Sequence, residues 1–301
     1  MNNTQGSKRI LIYGLVLVCS VFWGFSFLAT SILVKTLDPI QIQAARWLIA
    51  ATFYGVMIAL GYIRIDLSKN RRWLLLLCGL SQPCFYMIFE TYGIKMTSAS
   101  VGSIFIATIP CAVLIIESLV FGNKTSRNGI ISILLAFSGV AVCTVFSPAF
   151  SIGGSATGYL FMLGAVLMGG IYSVISHKAG ADYSSLEITA SMAIIGCVFF
   201  NTLNWVMGYG LSTYSAITGD VRLLLGIVFL GVCCSAICYL AFNQSILLIN
   251  PALANNMNAS ITTVVGALAG ILIGGDPGGI YTIIGLAMTI AGVILSSREI
   301  S

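Results

Sequence analysis

Asn255, Asn256 and Asn258 stand together in "ANNMNASITT" (254–263), at the start of one of the most apolar stretches of the chain. An unpaired amide in an apolar medium costs roughly 2–7 kcal/mol. Each Leu, Ile, Phe or Val returns only about 0.3–0.6 kcal/mol on insertion. Three such amides outweigh the aliphatic residues of their helix, so they cannot all face lipid. Asn255 and Asn258, three apart, share a helix face with Thr262, while Asn256 points elsewhere. That shared face must meet protein or a water-filled cavity.

The same test finds further polar stripes. Gln82, Tyr86 and Glu90 fall at i, i+4 and i+8 beside Pro83, and Ser235, Tyr239 and Asn243 repeat that spacing. Trp23, Phe27, Tyr172, Ser176 and Ser103 lie on other apolar segments at corresponding places, and Pro110 interrupts one of them. For any single aromatic the competing reading is helix packing, and for the asparagines it is interhelical hydrogen bonding. Together the stripes predict a binding cavity, with Pro110 as a kink and hinge because proline removes a helix hydrogen bond.

Groups for catalysis are scarce. The one histidine, His177, reads as an interfacial side chain, and the nine cysteines all fall in apolar spans without a CxxC or a paired ligand cluster. We therefore expect no catalytic residues, no metal and no cofactor. A membrane-embedded enzyme would need clustered acids, bases or metal ligands.

Positioning these stripes falls to helices that cross a bilayer. The chain has 301 residues, 58% of them hydrophobic and 8% charged, against roughly 25% charged in soluble domains. Runs of about 20 apolar residues, enough to cross a ~30 Å hydrocarbon core, number ten. They lie near 11–33, 39–61, 73–93, 98–121, 126–146, 155–177, 186–207, 222–244, 251–274 and 279–297. The fold class expected is an all-α integral membrane protein of ten transmembrane helices. The apolar run after the basic start is too long for a signal peptide and reads as a retained first helix.

Lys and Arg set the orientation. Lys8, Arg9, Arg64, Lys69, Arg71, Arg72, Lys124, Arg127, Lys178 and Arg298 fall on one side, and only Lys35, Lys95 and Arg222 on the other. Both termini are accordingly expected in the cytoplasm, with the protein multi-pass in a cell membrane, such as a bacterial inner membrane. The net charge of +5 belongs to this asymmetry, so no nucleic-acid partner is expected.

An internal repeat organises the spans. A shift of 152 residues lays "GLSQPCFYMIFETYGIKMTSAS" (79–100) over "GVCCSAICYLAFNQSILLINPA" (231–252), and a shift of about 145 lays Trp23-Gly24 over Met168-Gly169 and Phe27 over Tyr172. The unit is five spans, an odd number, so two copies cross in opposite senses and form an inverted repeat. The expected halves are 1–150 and 151–301, around a central cavity.

The segments "WGFSFLATSILVKTLDPIQIQAARWLIA" (23–50), "FETYGIKMTSASVGSIFIATIPCAVLIIESLVFG" (89–122) and "AFNQSILLINPALANNMNASITTVVGALAGILIGG" (241–275) resemble the EamA family of the drug/metabolite transporter superfamily, over nearly the whole chain. The resemblance implies a cavity lined mainly by the first, third, fourth, sixth, eighth and ninth spans, and export of small metabolites, including amino acids. It also implies an arginine at Arg46, with a structural and a functional role both open. The chain departs from the family where each half usually ends its fourth helix in Gly-Glu: here Asn123 follows Gly122, and Asp276 follows Gly275.

Charge narrows the substrate. A phosphorylated solute would call for several intramembrane cations, and only Arg46 is present; a polyvalent cation would call for buried carboxylates, and only Glu90 and Glu117 are present, near span ends. The substrate expected is a small neutral or zwitterionic molecule, amino-acid-like. The partners are that solute and the lipid bilayer. A coupling proton, the oligomeric state and the direction stay open, with uptake or facilitated diffusion as the alternative to export.

Overall fold

The computed structural model describes residues 3–66, 68–121, 126–146, 156–248 and 251–297. Among them every regular element is helical. The first half contains α1 (Asn3–Leu33), α2 (Pro39–Ala59), α3 (Trp73–Gly79), a π-helical turn (Leu80–Tyr86), α4 (Met87–Met96), α5 (Ala99–Ile106), α6 (Ile109–Phe121) and α7 (Arg127–Val145). The second contains α8 (Ala156–Ala179), α9 (Ser185–Val206), the short α10 (Ser212–Gly219), α11 (Val221–Val228), a second π-helical stretch (Phe229–Cys238), α12 (Tyr239–Leu248), α13 (Pro251–Leu272) and α14 (Ile280–Ser297).

Among the described residues seven helices are long and apolar enough to cross a membrane, and two shorter apolar ones lie within α7 and α14. The asparagine-bearing α13, 22 residues long, stands outside that set. Each of the ten expected ranges holds helix, while α10 lies in a stretch read from sequence as loop.

Local chemistry fixes the helix starts. At α2 the Asp38 side chain accepts from the Ile40 amide while Gln41 accepts from the Asp38 N–H at 2.9 Å, with Pro39 in the first turn. Ser184 and Glu187 form the same reciprocal pair at α9. These caps satisfy amides that no helical carbonyl reaches. Both open the second helix of their half.

The fourth span is broken, not merely kinked. Helix stops at Ile106 and restarts at Ile109, so Pro110 falls in the first turn of α6. Proline is tolerated there because a first-turn N–H has no helical partner. In the ninth span Thr262 takes the corresponding place and α13 runs through unbroken.

Helices before position 150 pack mainly on helices after it: α1 and α5 on α13, α2 on α9, α4 on α8, and α7 on α14. The seam between the halves therefore runs through the molecule.

Candidate functional site

A cavity of about 550 Å³, counting its part open to solvent, lies on that seam. Trp23, Ser26 and Phe27 of α1 and Arg46 of α2 form one side; Gln82, Tyr86, Met87 and Glu90 of the third span form another. Gly169, Tyr172 and Ser173 come from α8, Tyr239 and Phe242 from α12, and Asn255, Asn258 and Thr262 from α13. Ile106 and Ile109, flanking the break in the fourth span, complete the wall.

Hydrogen bonds tie the wall together, and two of them, Gln82–Tyr239 and Ser20–Asn258, cross the seam. The Gln82 Nε2 donates to Tyr239 OH at 2.6 Å, and Tyr86 OH donates to Glu90 Oε1 at 3.0 Å. Asn258 Oδ1 accepts from Ser20 Oγ and Thr262 Oγ1, both at 3.0 Å, and Asn255 Oδ1 accepts from Ser173 Oγ at 3.3 Å. The Trp23 ring packs against Tyr239 and Phe242, each with centroids 5.1 Å apart. Edge and tilted contacts of this kind suit the charge distribution of aromatic rings.

The π turns explain how the two halves grip each other. Such a turn widens the helix by one residue and loosens its carbonyl ladder. In the eighth span, Trp23 Nε1 donates to the Cys234 carbonyl at 3.1 Å and Tyr54 OH to the Ala236 carbonyl at 2.7 Å. Arg46 Nε donates to Ser235 Oγ at 2.6 Å in the same stretch. Three side chains of the first half thus dock on one irregular segment of the second.

Of the twelve binding residues read from the sequence, nine line the cavity: Trp23, Phe27, Gln82, Tyr86, Glu90, Tyr172, Tyr239, Asn255 and Asn258. Three lie elsewhere. Asn243 is buried one turn beyond Tyr239, where its Oδ1 accepts from Tyr172 OH (2.6 Å) and Ser176 Oγ (3.1 Å) and its Nδ2 donates to Thr189 Oγ1 (2.9 Å). This amide network holds Tyr172 in place from behind, and Ser176 belongs to it. Ser103 sits where α5 crosses α13: Thr263 Oγ1 donates to its carbonyl at 3.0 Å, and a Cβ on Gly266 would come within 2.5 Å of the Ser103 Cβ. Close approach of the backbones is what Gly266 permits.

Arg46 faces the cavity, whose lining the family resemblance gave mainly to other spans. Among the described residues it forms no ion pair with Glu90, and the three ion pairs found, Lys69–Glu187, Arg71–Asp182 and Lys95–Asp38, all lie in or next to the loops. A lone charge within a span was the signal that marked Arg46. Ser26, Ser173, Met87 and Phe242 carried no such signal. Among the described residues no three His, Cys, Asp or Glu side chains gather as a metal site would need.

The EamA-like transporter family model matches residues 10–145 and matches again over 156–298. The chain belongs to the EamA-like transporter family. Two similar proteins are an uncharacterized transporter of Archaeoglobus fulgidus, 25% identical over 92% of this chain and 95% of its own length, and the uncharacterized transporter YcxC of Bacillus subtilis, 25% identical over 95% of this chain and 92% of its own. Protein PagO of Salmonella typhimurium is 23% identical over 79% of this chain and 78% of its own. A crystal structure shares the fold with a TM-score of 0.70 at 15% identity, covering 96% of this EamA-like chain and 97% of the other. Membership makes the protein a membrane transporter for a small molecule.

Proposed function

We propose that this EamA-like transporter exports a small zwitterionic solute of the amino-acid class across the cell membrane by alternating access, binding it in the seam cavity. One observation carries the substrate class. Arg46 and Glu90, opposite in charge and not joined to each other, face the same cavity, and the remaining wall offers amides, hydroxyls and aromatic rings. An ammonium and a carboxylate on one small molecule match that pair, whereas a phosphate or a polyamine would meet one matching group and one opposing group.

The ten spans are read as two inverted five-helix halves, 1–150 and 151–301, with both termini cytoplasmic. The double family match, the recurrence of a π turn 152 residues on and the paired capping boxes support the repeat, and the Lys and Arg asymmetry supports the orientation. At the end away from the loop 60–72, Asp276 Oδ2 accepts from the Ser100 amide at 2.8 Å and α13 lies tight on α5. This contact supports a state closed at that end, so the fourth and ninth spans form the gate.

Counterflow in proteoliposomes tests the reading. Exchange is expected with zwitterionic amino acids and not with sugar phosphates or polyamines. Exchange restricted to either charged class would overturn it.

A further inference from the structure

We propose that the groove between α3 and α9 is a binding site for an anionic phospholipid, one acyl chain lying in the groove and the phosphate held by Arg72. Two apolar concavities share Leu76, Ile194 and Ile195 and so form one continuous groove. It begins at Arg72 and Trp73 and continues to Phe199 and Leu203. From Ser191 to Leu203 a helix rises about 18 Å, against about 15 Å for one leaflet of a ~30 Å core. The groove therefore has the length of one acyl chain.

Its depth has a local cause. A Cβ on Gly79 would lie 2.5 Å from Ile195 Cδ1, so α3 and α9 touch at their backs while Leu76 (50% exposed), Ile194 (38%) and Val198 (63%) stand apart on the outer side. Charge then selects the occupant. Near the mouth, Lys69 is paired with Glu187 at 3.5 Å and Arg71 with Asp182 at 3.6 Å, whereas Arg72 forms no ion pair among the described residues. Trp73, half exposed beside it, suits the level of lipid headgroups. A free guanidinium above an apolar channel matches a phosphate above a hydrocarbon tail. The site joins a helix of the first half to a helix of the second, so its occupant touches both, whatever solute the cavity carries.

The test uses the full chain in nanodiscs with spin-labelled phosphatidylglycerol or phosphatidylcholine. The wild type is expected to immobilise phosphatidylglycerol about fivefold more strongly, the effect of one basic residue at a charged interface. Arg72→Gln should abolish that preference. Val198→Trp, on the exposed outer side, should reduce immobilisation of both lipids by filling the groove. Circular dichroism should be the same for all three proteins. Equal immobilisation of the two lipids by wild type, an unchanged preference in Arg72→Gln, or a stable dimer cross-linked through cysteines placed in the groove would overturn the proposal, the last by giving the groove to a second copy.

Discussion

In the third span the π turn Leu80–Tyr86 contains Pro83, whose ring nitrogen has no proton for the helix ladder. The π stretch of the eighth span, Phe229–Cys238, contains no proline, and Ser235 occupies the place of Pro83. There the carbonyls of Cys234 and Ala236 are taken by Trp23 and Tyr54, which belong to the other half. The first irregularity is written into its own segment; the second is held by docking. Since one residue turns a helix by about 100°, a change between π and α in the eighth span would rotate Tyr239 and Phe242 relative to the cavity. One wall of the cavity is fixed by its own sequence, and the other depends on contact between the halves.

The largest effect is expected from Tyr239→Ala. It removes the ring that contacts Trp23 and Trp47 and the hydroxyl that Gln82 donates to. Loss of a buried aromatic costs about 3–5 kcal/mol, so unfolding in detergent should shift by that amount and flux should vanish. Retention of full flux would show that the eighth span does not form the binding wall.

Next comes the Pro83 and Ser235 pair. Ser235→Ala leaves the buried Arg46 Nε without its acceptor, at roughly 1.5–3 kcal/mol for a hydrogen bond to a charged group. Pro83→Ala should leave stability nearly unchanged while it lets the third span tighten, turning Tyr86 and Glu90. The readout is solute selectivity in counterflow. If both variants behave alike, the asymmetry between the spans is lost.

Gln82→Leu is a smaller test. It strands the Tyr239 hydroxyl, costing about 1–3 kcal/mol, whereas Gln82→Leu with Tyr239→Phe removes both partners and should recover most of that loss. Smallest is Trp23→Phe with Tyr54→Phe, at about 1 kcal/mol for each hydrogen bond. Here hydrogen exchange at 229–238 is the sharper readout, because a stretch that reverts to α-helix should gain protection. Unchanged exchange would mean that the π geometry is intrinsic to that sequence.

Much of this was legible in the residues, and the gaps have physical causes. Apolar run length located the helices, since a segment without enough charge has few alternatives to the bilayer. The stripe Gln82, Tyr86, Glu90 reached the cavity whole. Its counterpart did so only through Tyr239: Ser235 is taken up by Arg46, whose Nε donates to its Oγ, and Asn243 by Tyr172. Pro110 marked a disruption, but that it would be a full break two residues earlier depends on the turn at 107–108. Trp23 and Tyr54 gave no sign that they would bond to carbonyls some 180–210 positions away, because a carbonyl loosened by a π turn has no side-chain signature. Cys234 and Cys238, although in the same span as Tyr239, are buried outside the cavity wall.

Water access to the seam distinguishes a hydrated passage from a packed interface. A single cysteine at Asn258→Cys, in a background with the native cysteines replaced, is compared with Leu160→Cys on the outward face of α8, where Leu160 is 68% exposed. With a charged thiol reagent that does not enter lipid, rapid labelling is expected at 258 and none at 160 in membranes. Labelling at neither position, or at 160 alone, would contradict a hydrated passage between the two halves.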